Sequence, residues 1–401
     1  MEIRKPTPTP SLSLLSGFAL AAFVSFMPSA PFAVTANASP LVSIGDNADI
    51  YFNGSSSLRW DSNVFRDESD DIDDLVLTLS PGLELDVGRG ASDADLTFFT
   101  RYDIVRYDDL DRLDTELFSF GGDGVYSGNR LELSASINFN ESKTNSGDTG
   151  NNPLVDDLIE FDTLRASTQA EFDFSSKISA GAGVRYSERE YKNFPNFFDD
   201  RETLAFPIDV YYKTTPKLDL SAGYTYSETE VESEYDQTSH FYNVGARGEI
   251  LPKLVGFLKV GYRTREFSNS AVARDDSGSV GIDADFTWTA TPKTTFDIQF
   301  GRDFLASGEG DSTETTSVNL IGTYAINSNF SANSILGYVN RDYDNVANRE
   351  DDQLNAGLRV NYSPNQYWQL STGYTYLEND STQAGSSYES HLFDVTFSLR
   401  Y

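Results

Sequence analysis

HLFDVTFSLRY, residues 391–401, sets an apolar residue at every second position: Phe393, Val395, Phe397, Leu399 and Tyr401. Leu392, Asp394, Thr396, Ser398 and Arg400 fall between them. Side chains alternate across an extended chain, so the first set shares one face and the second set the other. One face avoids water and the other mostly accepts it. Two settings fit such a strand. It could belong to a soluble sandwich, or to a membrane wall with lipid on one side and a wet lumen on the other.

The same pattern recurs upstream. LELSASINF (131–139), ISAGAGVRY (178–186), LDLSAGYTY (218–226) and WQLSTGYTY (368–376) alternate in the same way, as does LVLTLSPGLELDV (75–87). Short turn signals precede most of these runs: SGN at 127–129, SSK at 175–177, TPK at 215–217 and 291–293, LPK at 251–253, NSN at 327–329 and SPN at 363–365. GRGAS at 88–92 makes an eighth. Longer polar stretches lie between the turns, among them DSNVFRDESDDIDD, ESEYDQTS, SGEGDSTET and DYDNVANREDD. The order is tight turn, outgoing strand, long acidic loop, returning strand.

With DIYFNGSSSLRW opening and HLFDVTFSLRY closing, the count comes to about eighteen antiparallel strands, an even number with both ends on the short-turn side. One stretch is irregular. In 113–126 the phase slips between Leu113, Leu117 and Phe118, Phe120, which predicts a bulge. A repeat of roughly 40 residues also describes propeller blades, but four strands per blade would not fit strands this long. The expected fold is therefore all-β: a transmembrane antiparallel barrel with short periplasmic turns and long acidic extracellular loops.

Composition agrees. The chain has 401 residues, no Cys, two His, two Met, 22 Tyr and 28 Phe, and a formal charge of −32. Lack of Cys removes disulfides and thiolate metal sites. So acidic a field repels nucleic acid. A mean hydropathy of −0.41 does not argue against a membrane, because only one face of each strand would meet lipid. No stretch after the N-terminus approaches a spanning helix. MEIRK, the apolar run 14–26 and Ala36-Asn37-Ala38 read as a secretory signal over 1–38, with a membrane anchor as the alternative. Residues 39–49 would then be a short periplasmic segment and 50–401 the barrel.

With the apolar face outward, the lumen receives Arg59, Arg101, Arg185, Arg189, Lys259, Arg263, Arg265 and Arg341. It also receives Glu84, Asp86, Glu132, Glu171, Asp173, Asp219, Glu249, Asp285 and Asp297, mostly nearer the short turns. One reading is a guanidinium band that guides anionic sugars, since planar donors suit carboxylates. The other is a ladder of cross-strand ion pairs that only shapes the wall. The longest loop, 141–160, is a candidate constriction through Asp148, Asp156, Asp157 and Glu160, or a plain exposed loop. The run Asp67, Glu68, Asp70, Asp71, Asp73, Asp74 would hold a hard cation against lipopolysaccharide, or be a solvated loop. Trp60, Tyr186, Tyr224, Tyr226, Tyr262, Trp288, Tyr324 and Tyr376 fit interfacial girdles. Ser239–His240 and Ser390–His391 are the only serine–histidine neighbours, and sequence adjacency does not make a catalytic pair. No enzyme activity, cofactor or metal is expected.

DSNVFRDESDDIDDLVLTLSPGLELDVGRG, residues 61–90, resembles the opening of the Putative beta-barrel porin 2 family: an early Asp-Ser-Asn, an acidic loop, then a strand running into Ser-Pro-Gly. The repeated Gly-Tyr-x-Tyr and turn-Pro-Lys segments fit as well. The resemblance implies a Gram-negative outer-membrane channel, with export of extracellular polysaccharide as the first expectation and periplasmic export components as partners. A general or solute-specific diffusion porin comes second, and a structural or adhesive surface barrel third. The final aromatic residue, with Phe393, Val395, Phe397 and Leu399, resembles the C-terminal signal read by the barrel insertion machinery.

Overall fold

The computed structural model describes residues 39–88, 93–145, 157–232, 234–270, 274–344 and 349–401. The expected signal segment, the centre of the 88–92 turn, and Asp148 and Asp156 lie outside them. A short strand, β1 (Val42–Ile44), pairs back on Ala48–Ile50 within the segment expected to precede the barrel.

Eighteen long strands follow. They are β2 (Ala48–Asp61), β3 (Asp74–Val87), β4 (Ala94–Tyr107), β5 (Thr115–Ser127), β6 (Leu131–Thr144), β7 (Ile159–Asp173), β8 (Ile178–Tyr191), β9 (Arg201–Thr215) and β10 (Leu218–Val231). The second half comprises β11 (Tyr235–Leu251), β12 (Leu254–Ser268), β13 (Ser277–Thr291), β14 (Thr294–Ala306), β15 (Ser312–Ala325), β16 (Phe330–Tyr343), β17 (Glu350–Tyr362), β18 (Trp368–Ser381) and β19 (Tyr388–Arg400). Each pairs antiparallel with its sequence neighbours, and β19 pairs with β2 from Leu392↔Asp61 to Arg400↔Asn53. That last ladder closes the sheet into a barrel. The Tyr401 amide donates to the Phe52 carbonyl at 2.9 Å, carrying the seam one residue further. Closure leaves no long strand with an unpaired edge, which hydrocarbon would not tolerate.

The burial pattern is inside out. Val244 (66 % exposed), Leu358 (67 %), Ile208 and Phe393 stand on the outer surface, while Asp351 (2 %), Arg265 (3 %) and Asn53 are buried within. A soluble protein arranged this way would expose an apolar belt around its whole circumference. In a bilayer the same belt meets acyl chains. Strands of about 14 residues rise roughly 46 Å at 3.3 Å per residue. Tilted as barrel strands are, they clear an apolar band of about 25 Å.

Two expectations change. β5 pairs without a register shift on both sides, so no bulge lies there. The slip arises because Leu113 belongs to a 3-10 turn, Asp111–Leu113, and packs with Val64, Phe65, Val76, Val105, Tyr107 and Leu158. ESEYDQTS is mostly strand rather than loop, since Tyr235 already opens β11. Pro81 and Pro207 lie inside strands. The pairing of β3 with β4 skips from Leu79 to Gly82, and that of β8 with β9 omits Pro207, as expected of a residue with no amide hydrogen.

Candidate functional site

The tight-turn end of the lumen is held by ion pairs. Arg247 on β11 reaches across to Glu171 on β7 at 2.6 Å and bonds Asp219 on β10 at 3.0 Å, with its guanidinium 3.5 Å over the Tyr211 ring. Lys213 meets Asp173 at 2.6 Å, and Arg400 bridges Glu84 and Asp86. Arg359 grips Asp394 through two bonds of 2.8 and 2.7 Å. Most of the acids expected here are therefore paired. Asp285 and Asp297 accept from Gln299 and Thr287. This part of the wall follows the ladder reading.

Nearer the long loops, basic side chains gather. A cavity of about 140 Å³ opens in the lumen between β7 and β15. Arg165, Arg185, Arg189, Arg201, Lys259 and Arg263 line it, against Asp283 and Asp303. Register explains the convergence. Arg165 pairs with Ser187, which lies between Arg185 and Arg189 on the same inward face, and Arg189 pairs with Arg201. Lys259 is held by Asp209 at 2.8 Å and Arg263 by Asp303 at 2.7 Å. The Arg189 guanidinium sits 4.4 Å over the Phe161 ring and that of Arg263 lies 4.1 Å over Phe241.

A loop roofs this chamber. Ser307–Asp311, between β14 and β15, folds into the barrel with Ser307, Gly308 and Gly310 buried. The Ala306 carbonyl accepts from Arg201 Nη1 at 2.6 Å, and the Gly308 carbonyl from the Asp199 amide at 3.0 Å. Glu309 accepts from Arg349 Nη1 at 2.6 Å; Arg349 also bonds Asp351 and stacks 4.0 Å over Tyr343. Gly310 has φ +79°, and a Cβ there would meet Asp199 and Glu234, so the turn requires glycine. Burial, then the neighbouring Glu234, pushes the Asp199 carboxyl up to about 6. Glu309 and Asp311 are also raised, chiefly by burial.

Of the eight expected lumen cations, the structure brings Arg185, Arg189, Lys259 and Arg263 together. The other four lie elsewhere. Arg101 bonds Asp103 two residues on, Arg265 pairs with Asp344, and Arg341 lies beside Gln353. Arg59 stands on β2, whose inward face looks onto a different arc of the wall. Arg165 and Arg201 were not singled out by the sequence. The alternation Thr163, Arg165, Ser167 against Leu164, Ala166 would have placed Arg165, whereas Arg201 sits at a loop–strand junction with no pattern around it.

The remaining candidates are spread apart. The expected 141–160 loop is shorter than its bounds, because β6 runs to Thr144 and β7 starts at Ile159: Glu160 is a strand residue 3.0 Å from Lys143, Asp157 lies 3.6 Å from Arg112, and Leu158 packs into the apolar cluster with Val64 and Phe65. The acidic run is engaged by backbone and side-chain donors around it. Asp67 caps Ser69 and Asp70, Asp71 accepts from Asn63, Asp73 from the Trp60 indole, and Asp74 from the amides of 108–110. Among the described residues no cluster of three metal-ligating side chains occurs. His240 and His391 both stand in the outer girdle, bonded to Tyr224 at 2.8 Å and Tyr374 at 2.9 Å. Ser239 and Ser390 are buried on the inner face, so each serine and its neighbouring histidine lie on opposite sides of the wall.

The family model described as Putative beta-barrel porin 2 matches residues 53–401. No curated protein matches the chain. Among solved structures, the chain is similar to the outer membrane protein OpdK of Pseudomonas aeruginosa, at 9 % identity and a TM-score of 0.45 over 88 % of this chain and 99 % of that one. It is also similar to OccAB4 of Acinetobacter baumannii, at 11 % identity and a TM-score of 0.47 over 89 % and 99 %.

Proposed function

The chain belongs to the Putative beta-barrel porin 2 family, and from that premise we propose that it is an outer-membrane diffusion channel that favours anions. The basic chamber carries this reading. Six basic side chains converge on it, with Asp283 and Asp303 in the lining and Asp209 on Lys259, inside a protein whose total charge is −32. A lumen with low-dielectric walls focuses such a field and concentrates counter-ions there. The pairs Lys259–Asp209 and Arg263–Asp303 fix one wall, and Arg165, Arg185, Arg189 and Arg201 line the other beside them. Guanidinium groups bind carboxylates through two parallel bonds, and the spread of four of them lets an anion pass from one to the next without being trapped. Outside, the apolar belt and tyrosine girdle meet lipid and lipopolysaccharide, and the Phe393–Tyr401 signal engages the insertion machinery.

In a planar bilayer under a salt gradient, the reversal potential is expected to show chloride favoured over potassium. Replacing Arg165 and Arg185 together by Glu makes the lining four charges more negative and should abolish that preference. A cation-preferring wild-type channel would refute the proposal.

A narrower reading is that the anion is an acidic extracellular polysaccharide, delivered by periplasmic export components. It is supported by the resemblance of residues 61–90 and by the match of guanidinium to uronate, and it requires the roof to move aside. Loss of the gene should then abolish secreted polymer; unchanged secretion with an intact anion channel would remove the polymer reading and leave the channel.

A further inference from the structure

DSNVFR, residues 61–66, opens the stretch that carries the family resemblance, yet it has no part in the basic chamber. The chain leaves β2 at Asp61 and turns into the bore. Val64 (6 % exposed) and Phe65 (7 %) pack on Val76, Val105 and Tyr107. Those three stand on the lumen face at the long-loop end of β3 and β4. Val76 alternates with Leu75 and Leu77 on the lipid side, Tyr107 pairs directly with Val76, and Val105 pairs with inward Thr78. The inner wall of a wet barrel is polar, so an apolar patch there requires a cover, and this turn supplies it. Leu113 from the next long connection and Leu158 close over the same cluster. Leu158 directly precedes β7, five strands round the ring from β2, so the packed group bridges a chord of the mouth.

Buried polar groups seat the turn. Arg66 donates to the two Asp61 carboxylate oxygens at 2.8 and 3.0 Å and to Ser390 Oγ on β19 at 2.8 Å. Asn63 is fully buried, and its Nδ2 donates to the Asp67 carbonyl at 2.8 Å, to Asp71 at 2.7 Å and to the Glu389 carbonyl at 3.1 Å. The segment is thereby tied to β19 across the closing seam. Arg66 has φ +56°, a left-handed conformation that long side chains rarely adopt. Such backbone persists only where its surroundings hold it, and here the pair with Asp61 does so. Connecting segments ordinarily run over the surface, whereas this one places its apolar residues inside the bore.

We propose that residues 61–66 form a stopper that shuts the β2–β7 side of the mouth, seated by the pairing of Arg66 with Asp61, and that the channel conducts fully only when the stopper is withdrawn. This rests on the channel reading but not on anion preference. The stopper is also separate from the roof of the chamber, which Arg201, Asp199 and Arg349 hold. Its construction suits release, because breaking one ion pair also frees a strained residue to relax.

The chain has no Cys, so one introduced thiol reports on one position. Val64→Cys nearly keeps the side-chain volume, and Asp70→Cys, on the exposed part of the same loop, is the reference. A charged, membrane-impermeant methanethiosulfonate is added to the full-length protein in phospholipid vesicles. The Val64→Cys thiol is expected to react at least about tenfold more slowly than the Asp70→Cys thiol, since it must await local opening. Adding Arg66→Ala to Val64→Cys should remove most of that difference. In a planar bilayer, Arg66→Ala should raise single-channel conductance severalfold. Asp61→Asn, which keeps the shape of the contact and removes its charge, should give a smaller rise and serves alone if Arg66→Ala does not insert. Equal thiol rates at the two positions in the otherwise wild-type protein, or wild-type conductance in the inserted variants, would overturn the stopper. Absence of current from wild type and variants alike would strike the channel reading instead, and the thiol rates, which need no current, would still decide whether the segment is seated in the bore.

Discussion

Val244→Arg is expected to lower the unfolding free energy of the bilayer-inserted barrel by about 2–4 kcal/mol. Val244 lies near the middle of β11, between Ala222 on β10 and Val260 on β12, and is 66 % exposed. In water such a position would tolerate arginine within about 0.5 kcal/mol, because a guanidinium on an exposed strand surface loses nothing. In hydrocarbon it must shed its hydration or drag water and headgroups toward it. The girdle residues Tyr242 and His240 are two and four positions away on the same face, so the side chain is short of the interface unless the bilayer deforms. Urea unfolding from phospholipid vesicles, with Val244→Ala as the size control, measures the difference. Near-equal stability of the two variants would mean that the outer face does not meet lipid.

The same alternation that fixes this expectation made most of the fold legible. In β19 every residue from Phe393 to Tyr401 lies on the face its parity assigns, and the strand closes on β2 where the count of turns required a partner. Parity is a local property and survives in the sequence. What parity does not give is height around the ring. Arg185 and Arg265 both face inward, yet one lines the chamber and the other pairs with Asp344, because strand tilt and stagger set which residues of distant strands come level. Arg247 shows the same limit. Its inward phase was readable, but its reach from β11 to Glu171 on β7 depends on the shape of the cross-section.

SGEGD, residues 307–311, illustrates a different failure. Its composition is that of an exposed loop, and polar Gly-rich segments between strands are ordinarily solvated. It turns inward because three distant groups capture its backbone and one carboxylate: Arg201, the Asp199 amide and Arg349. None is within 30 residues of it in sequence, so no window-based reading would find the roof. The acidic run 67–74 shows another limit: its composition suits either a cation site or a solvated loop, and its short Asp side chains cap nearby amides.

Arg349→Ala should open the roof. Arg349 is 3 % exposed and holds Glu309 at 2.6 Å and Asp351 at 3.1 Å. Removing one member of a buried pair costs about 3–5 kcal/mol, because the remaining carboxylates stay buried without their counter-charge. Glu309 can recover most of that by swinging out to water with its loop, whereas Asp351 is fixed in β17 and must stay. The cheapest relaxation is therefore movement of Ser307–Asp311 away from the chamber. Single-channel conductance in Arg349→Ala is expected to rise severalfold at neutral pH, with Glu309→Gln giving a smaller rise because it leaves no orphaned charge. Acid should act in the opposite sense. Asp199 carries its carboxyl at about 6 against an ordinary 3.8, so its protonated form favours the packed roof. As pH falls from 7 toward 5 its repulsion with Glu234 disappears, and the open-state conductance should decline. As pH rises through 6 that contribution is lost. Asp199→Asn, neutral at every pH, should flatten the profile at its acid level. A folded Arg349→Ala barrel with wild-type conductance and an unaltered pH profile would show that Ser307–Asp311 does not govern passage.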